Sequence, residues 1–519
     1  MNELKLPAFG EEKFESTPTN AHARVTVISN VQKESFFDYC RLFEEKGFEK
    51  REERERGVQL YAAFYCDGKG IFINYFDSLC NLYIVEETEC LYFSFRDAGR
   101  AKCVDPQITQ VELEDFGMSY AIRLSDGRFI VMDGGRHFEP DAERLYKSLK
   151  EGSPYEKPVI ATWIMTHPHS DHFEGFLPFM KMHRDDVVIE SFLLNFPEHD
   201  DLIHYPKLAY KDARFEIDSS PLVNIPLMYE YMAQTGAPIY MGHTGQTYMF
   251  GDAVMEILSC MDDTVLYTDN INSTSLVMRM ELGGQIILFM TDASFSAAQL
   301  NDKYGEYLKS DILQVPHHGF SNGTTEESIR GYNNISPKIC LMPVSDYNAY
   351  YTFCAFKDCT KHLLTNVGIE EMITGTPQRT ITLPYTAPAY AKAELAEKYL
   401  HGQASAGART WFFTELSTSR PEDFEFTVLN TLHAQAKVCI ELFFEDREQN
   451  IRHITVNIKS LTMKNFNIAG DEVNGDALYF NWMSLKEKGI PENARFAVRF
   501  MSNIPVVVSH KDHTAAYHT

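Results

Sequence analysis

The chain has 519 residues, 44% hydrophobic and 23% charged, with 73 acidic against 48 basic side chains and a net charge of −25 at pH 7. That length exceeds a single core and implies roughly two to four domains. The acid excess argues against long nucleic acid as a partner, because phosphates need a basic surface, and against docking on an anionic membrane face. No window approaches the roughly 18 uninterrupted apolar residues of a membrane span. The N-terminus has no basic region followed by an apolar core. The ten cysteines are scattered without a Cys-x-x-Cys pair, as in a reduced cytoplasmic protein.

Residues 1–20 are polar and Pro-rich and read as a loosely held arm. Residues 24–28 read as a strand, and 35–46 as a helix with Phe36, Tyr39, Cys40 and Phe43 at helical spacing. The charged run 50–56 reads as a solvated loop. Residues 60–66 and 71–76, joined by Asp67-Gly68-Lys69-Gly70, read as a hairpin, and 79–85 as another strand. A small α+β domain is therefore expected over 1–100, with no catalytic constellation. Strands and helices then alternate. A second hairpin, 118–124 and 129–132, runs into Asp133-Gly134-Gly135. A helix over 141–150 leads to the apolar, β-branched run 159–165, a buried strand. Further strands are expected at 187–195, 248–259, 276–282, 285–290, 311–315 and 380–383, and helices at 174–183, 222–234 and 356–364. A helix over 391–400 and a small-residue linker over 402–407 precede short strands at 424–429, 438–444, 453–458, 477–482, 496–501 and 506–509. These suggest a β-sandwich. The expected domains are 1–100, 101–388, a helix and linker over 389–410, and 411–519.

Chemistry concentrates in Thr166-His167-Pro168-His169-Ser170-Asp171-His172. Four potential metal ligands, His167, His169, Asp171 and His172, fall within six positions on the loop leaving a buried strand and entering a helix. Asp292 ends the strand 285–290, where an unpaired carboxylate is costly. Pro316-His317-His318-Gly319 ends the next strand.

The pattern His-x-His-x-Asp-His resembles the signature of the metallo-β-lactamase superfamily of hydrolases. The run Asn272-Ser273-Thr274-Ser275-Leu276-Val277, Gly283-Gly284, Asp292-Ala293 and Val315-Pro316-His317-His318-Gly319 is similar to the branch found in hydrolase domains of DNA-uptake competence proteins. The resemblance covers about residues 104–388. It implies an α/β fold, an αββα sandwich, flanked here by the N-terminal α+β domain and the C-terminal β-sandwich. It also implies two divalent metal ions, zinc first and manganese or iron admissible. His167, His169 and the bridging Asp292 would hold one ion; Asp171, His172, Asp292 and His317 would hold the other. Asp133 would support the metal loop. Asp171 would orient the nucleophile or pass its proton to the leaving group, and His318 would contact substrate or support His317. A metal-bridged hydroxide would attack a phosphodiester or another small phosphate ester. A lactone or amide is the runner-up, and a weakly active module that binds a protein partner through its flanking domains is a reading of another class. Diiron relatives that reduce oxygen or nitric oxide carry Glu where this chain has His169, which favours hydrolysis.

Two departures from the pattern stand out. Relatives usually carry Gly-Asp-Ala-Glu where this chain has Thr291-Asp292-Ala293-Ser294. Many superfamily members also have a further histidine on the first metal. His243, in Gly242-His243-Thr244-Gly245, and His199, after the strand 187–195, are the candidates for that position or for a substrate contact, beside their reading as ordinary histidines.

Overall fold

The computed structural model describes residues 6–7, 13–20, 22–56, 59–90, 95–114, 117–196, 220–264, 270–320, 325–344, 362–396, 408–417, 419, 423, 425–430, 436–444, 452–459, 462–467 and 495–510. The chain forms two compact units, one of Met1–Ser345 with Phe356–Lys392 and one of Asp346–Ala355 with Ala393–Thr519. Residues 1–100 therefore share a compact unit with the central region. The fold class is mixed α/β with several sheets.

The first 100 residues build a six-stranded antiparallel sheet in the order Lys13–Asn20, Ala23–Ser29, Asn81–Thr88, Lys69–Phe76, Gln59–Cys66, Glu49–Arg56. The helix Lys33–Glu45 places Phe36, Tyr39 and Phe43 in one core with Phe64, Ile73 and Ile84. Two expectations are corrected here. Part of the loose arm is the edge strand Lys13–Asn20, paired with Ala23–Ser29. The charged loop is the opposite edge strand, Glu49–Arg56. Its charges are compatible with a strand because they pair locally: Arg54 meets Glu52 and lies 4.4 Å from the Tyr61 ring centroid. A charged edge also discourages pairing with another chain.

This sheet packs directly on the central region. Lys303 is fully buried, with Nζ 3.1 Å from Asp263 Oδ1 and over the rings of Phe76 and Tyr83. Asn74 Nδ2 donates to Thr244 O at 2.8 Å. Gly245, at φ +91°, lies so close that a Cβ there would sit 2.3 Å from the Tyr61 ring.

The central region holds two eight-stranded sheets. The first runs Ile239–Met241, Phe192–Leu194, Val159–Ile164, Phe129–Asp133, Ser119–Arg123, Gln107–Gln110, Arg379–Thr382, with Val188–Ile189 beside Val159–Ile164. The second runs Glu371–Thr374, Ile339–Met342, Ile312–Gln314, Gln285–Phe289, Val277–Leu282, Ala253–Ser259, Thr247–Phe250, Phe95–Asp97. One core joins them: Ile122, Met132 and Ile164 from the first sheet meet Met255, Met278, Phe289 and Leu341 from the second. A second core forms where helices Glu139–Gly152, Phe176–His183 and Ser220–Thr235 meet the first sheet around Trp163. Val159–Ile164 is thus buried along its whole length, which explains its unbroken apolar run. The stretch expected as one strand over 248–259 is instead a hairpin, turned at Gly251.

In the second unit the 16-residue strand Arg495–His510 pairs with Ala408–Ser417 and Ala436–Phe444 along its first part and with Glu425–Leu429 at its end. It joins the two stretches expected as separate strands at 496–501 and 506–509. Trp411, Phe413, Val438, Ile440, Phe500 and Val508 fill the core. The strand expected at 477–482 and the linker at 402–407 lie outside the described residues. Among the described residues no helix is long and apolar enough to cross a membrane.

Candidate metal centre

The site forms where strands of both central sheets end. Phe129–Asp133 and Val159–Ile164 are parallel neighbours in the first sheet, as are Gln285–Phe289 and Ile312–Gln314 in the second. Their carboxyl ends therefore deliver Asp133, the 166–172 loop, Asp292 and the His317-His318 pair from parallel strand ends. The loops are tightly tied. Gly134 N–H donates to His172 O at 2.7 Å, and a Cβ on Gly175 would sit 1.9 Å from Gly134 O. Of the ten non-glycine residues with positive φ among those described, Asp133, Thr291, His317 and His318 lie in these loops. Such strain persists where the surroundings over-determine it, commonly at functional sites.

Hydrogen bonds set which ring nitrogen each histidine presents. Asp133 is fully buried and accepts from Thr166 N at 2.8 Å, Thr166 Oγ1 at 2.7 Å and His172 Nδ1 at 2.7 Å. The Thr166 hydroxyl, having given its proton to Asp133, accepts from His167 Nδ1 at 3.2 Å. His318 Nδ1 donates to Pro343 O at 3.1 Å. His167, His172 and His318 thereby all turn Nε2 inward, the atom a metal-binding imidazole presents when its Nδ1 is engaged.

Two groups of donors result, each within 4.8 Å: His167, His169 and Asp292, and Asp171, His172 and His318. Asp292 Oδ2 lies between them, 3.7 Å from His167 Nε2, 3.3 Å from His172 Nε2 and 3.6 Å from His318 Nε2. His318 Nε2 is 3.2 Å from Asp171 Oδ2. His172 Nε2 and His318 Nε2 face each other at 3.3 Å. A mixed imidazole and carboxylate donor set of this kind suits zinc, manganese or iron. The residues present therefore fit a pair of divalent ions. Electrostatics agree. Burial lowers the His167 imidazole well below its ordinary value and takes His169 down to about 4. Burial would lower His172 and His318 too. Asp292, with Asp133 and Asp171, instead raises His172 well above the usual range, and Asp292 and Asp171 bring His318 up to about 9. Burial opposes ionisation of Asp171 and Asp292, yet the neighbouring imidazoles hold both carboxyls below the ordinary range.

The geometry groups these two histidines differently from the expectation. His317 is the expected ligand and His318 the residue expected to contact substrate or support His317. His318 instead completes the second group, while His317 stands at the edge. Its side chain is 25% exposed, with Nε2 4.0 Å from Asp292 Oδ2 and 3.2 Å from Asn272 Nδ2. The physical reason is the left-handed turn at both residues, which sends adjacent imidazoles in different directions, and the Pro343 carbonyl that captures His318.

His243 is not brought to the centre as a ligand. It is fully buried, with Nδ1 2.6 Å from Asp262 Oδ2 and Nε2 3.2 Å from Glu87 Oε2, and its ring lies 4.7 Å from that of Phe72. Both nitrogens are spent on carboxylates, one of them from the N-terminal sheet. Burial alone would lower this imidazole, but Asp262 and Glu87 raise it to about 10. A pKa raised in the folded state gives stability that is full below the unfolded value of 6.5 and is lost as pH climbs toward about 10. Glu87→Gln should therefore lower stability near neutral pH by roughly 3 kcal/mol, the cost of breaking one side of a buried pair. It should also flatten the decline between the two pH values, as thermal melts of both proteins across that range would show. His199 lies outside the described residues.

Three contributors were absent from the sequence reading: Thr166 as the relay between Asp133 and His167, Asn272 against His317, and Gln314, whose amide bonds the Thr291 backbone. Gln314 could have been noticed as an amide inside an otherwise apolar strand. Thr166 and Asn272 lie in the quoted motif runs, but their partners there are set only by folding.

A scan of family models and a search of curated proteins find no match for this chain. Matching solved structures include an Anabaena sensory rhodopsin transducer, 20% identical over 21% of this chain and 86% of that one, with a TM-score of 0.16. Another is the crystal structure of Thermotoga maritima 1070, 23% identical over 22% of this chain and 93% of that one, with a TM-score of 0.14. Overlaps this slight carry no argument about the fold or the chemistry of the chain.

Proposed function

We propose that the protein is a metal-dependent hydrolase of the αββα metallo-β-lactamase type, acting on a phosphodiester or another small phosphate ester. The observation that carries this reading is the convergence of three inward Nε2 atoms, from both central sheets, around Asp292 Oδ2, with Asp171 Oδ2 beside one of them. His167, His169 and Asp292 would hold one ion, and Asp171, His172 and His318 the other. When bound, such ions polarise the ester oxygen and acidify a nearby water enough for it to attack near neutral pH. The chain's own groups do the rest. Asp133 and Pro343 O keep the imidazoles in the presenting tautomer. Asp171, which the neighbouring imidazoles hold ionised, orients the attacking water. His317, on the open side, contacts the substrate, and the buried Asn272 holds its Nε2. The net charge of −25 favours a small substrate over a polyanion.

The test is turnover of bis(nitrophenyl) phosphate, a phosphomonoester and a lactone by protein loaded with zinc or manganese. The phosphodiester should lead the lactone by roughly tenfold or more in kcat/KM. Lactone turnover alone would move the substrate class. No turnover of any ester by the loaded protein would overturn the hydrolase reading in favour of a partner-binding module.

A further inference from the structure

Thr291, the residue before Asp292, sits at φ +49°. For a β-branched side chain that left-handed conformation is a true outlier. It is held by an unusual set of bonds. Thr291 N–H donates to Gln314 Oε1 at 2.5 Å, and Gln314 Nε2 donates to Thr291 O at 3.3 Å and to Val315 O at 2.7 Å. Thr291 O also accepts from His317 N at 2.8 Å, and Thr291 Oγ1 donates to Leu276 O at 3.1 Å. Gln314 is fully buried in the apolar strand Ile312–Gln314, where an amide is costly unless its bonds are made. Its amide bonds go to the backbone of the residue that precedes Asp292 and to the residue that opens the His317-His318 loop.

We propose that Gln314 is a positioning residue: by bonding both backbone groups of Thr291 it keeps the left-handed turn that aims Asp292 at the metal centre. Without it, Thr291 relaxes toward negative φ, Asp292 Oδ2 leaves the space between His167, His172 and His318, and the His317 backbone loses a fixed acceptor. This inference rests on the metal-centre reading above.

Gln314→Met keeps the side-chain volume and removes every amide bond. Glycine reaches φ +49° without strain, so adding Thr291→Gly should make the latch dispensable. The measurement is titration with cobalt(II), followed by its visible absorption, with thermal melts to verify folding. Gln314→Met should bind cobalt at least about tenfold more weakly than the unaltered protein, with a changed band shape, and the double variant should recover to within about threefold. If Gln314→Met alone fails to fold, Thr291→Gly is compared with Thr291→Gly/Gln314→Met, and the latch predicts equal affinity. Equal binding by Gln314→Met and the unaltered protein, or no recovery in the double variant, overturns the latch alone. No cobalt uptake by the unaltered protein overturns the metal centre, and the latch with it.

Discussion

Asp292→Ala is expected to lower kcat/KM on a phosphodiester by roughly 10³-fold or more and to release bound metal, because it removes the carboxylate of one donor set that also faces the imidazoles of the other. Asp292 Oδ2 is within 4.0 Å of His167, His172, His317 and His318. Three of those imidazoles are wholly buried. Without the carboxylate they lose the negative charge that makes a cation welcome among them, and burial then disfavours any positive charge there. Asp292→Asn separates charge from shape: it keeps an oxygen in place and should lose nearly as much. Steady-state kinetics, with metal content measured on the same sample, checks both. Activity within tenfold of the unaltered protein in either variant contradicts this assignment.

The second large effect distinguishes neighbours. His318→Ala should cost one of the two ions and roughly 10³-fold in kcat/KM, whereas His317→Ala should keep both ions and lose roughly tenfold to a hundredfold. The asymmetry follows from geometry. His318 is fully buried, anchored at Nδ1 by Pro343 O, with Nε2 3.2 Å from Asp171 Oδ2. His317 is partly exposed and faces Asn272. Metal analysis of the two variants side by side reads the difference. Loss of an ion in His317→Ala, with retention in His318→Ala, would restore the assignment made from sequence.

The contrast shows which parts of the site were legible. The 166–172 loop stood out because its donors are neighbours in sequence and their residue types are those metals accept. Asp292 stood out because a carboxylate closing a buried strand needs a reason, and Asp133 only through the resemblance. Which of His317 and His318 falls beside Asp171 and His172 was illegible, since a carbonyl about 25 residues away holds His318 there. His243 looked like a ligand locally, but its partners Glu87 and Asp262 are remote in sequence, and only folding shows both nitrogens engaged. Elements followed the same division. Helix Lys33–Glu45 and strand Val159–Ile164 were readable from their apolar pattern. The strand Glu49–Arg56 was hidden because its charges, normally a mark of loops, are matched by partners on the same edge and by Tyr61.

The most direct test of the central claim is the metal-to-chain ratio of the purified protein, by elemental analysis before and after reconstitution with zinc or manganese. Two donor groups joined by Asp292 predict a ratio of about two. A ratio near zero after reconstitution would contradict the account.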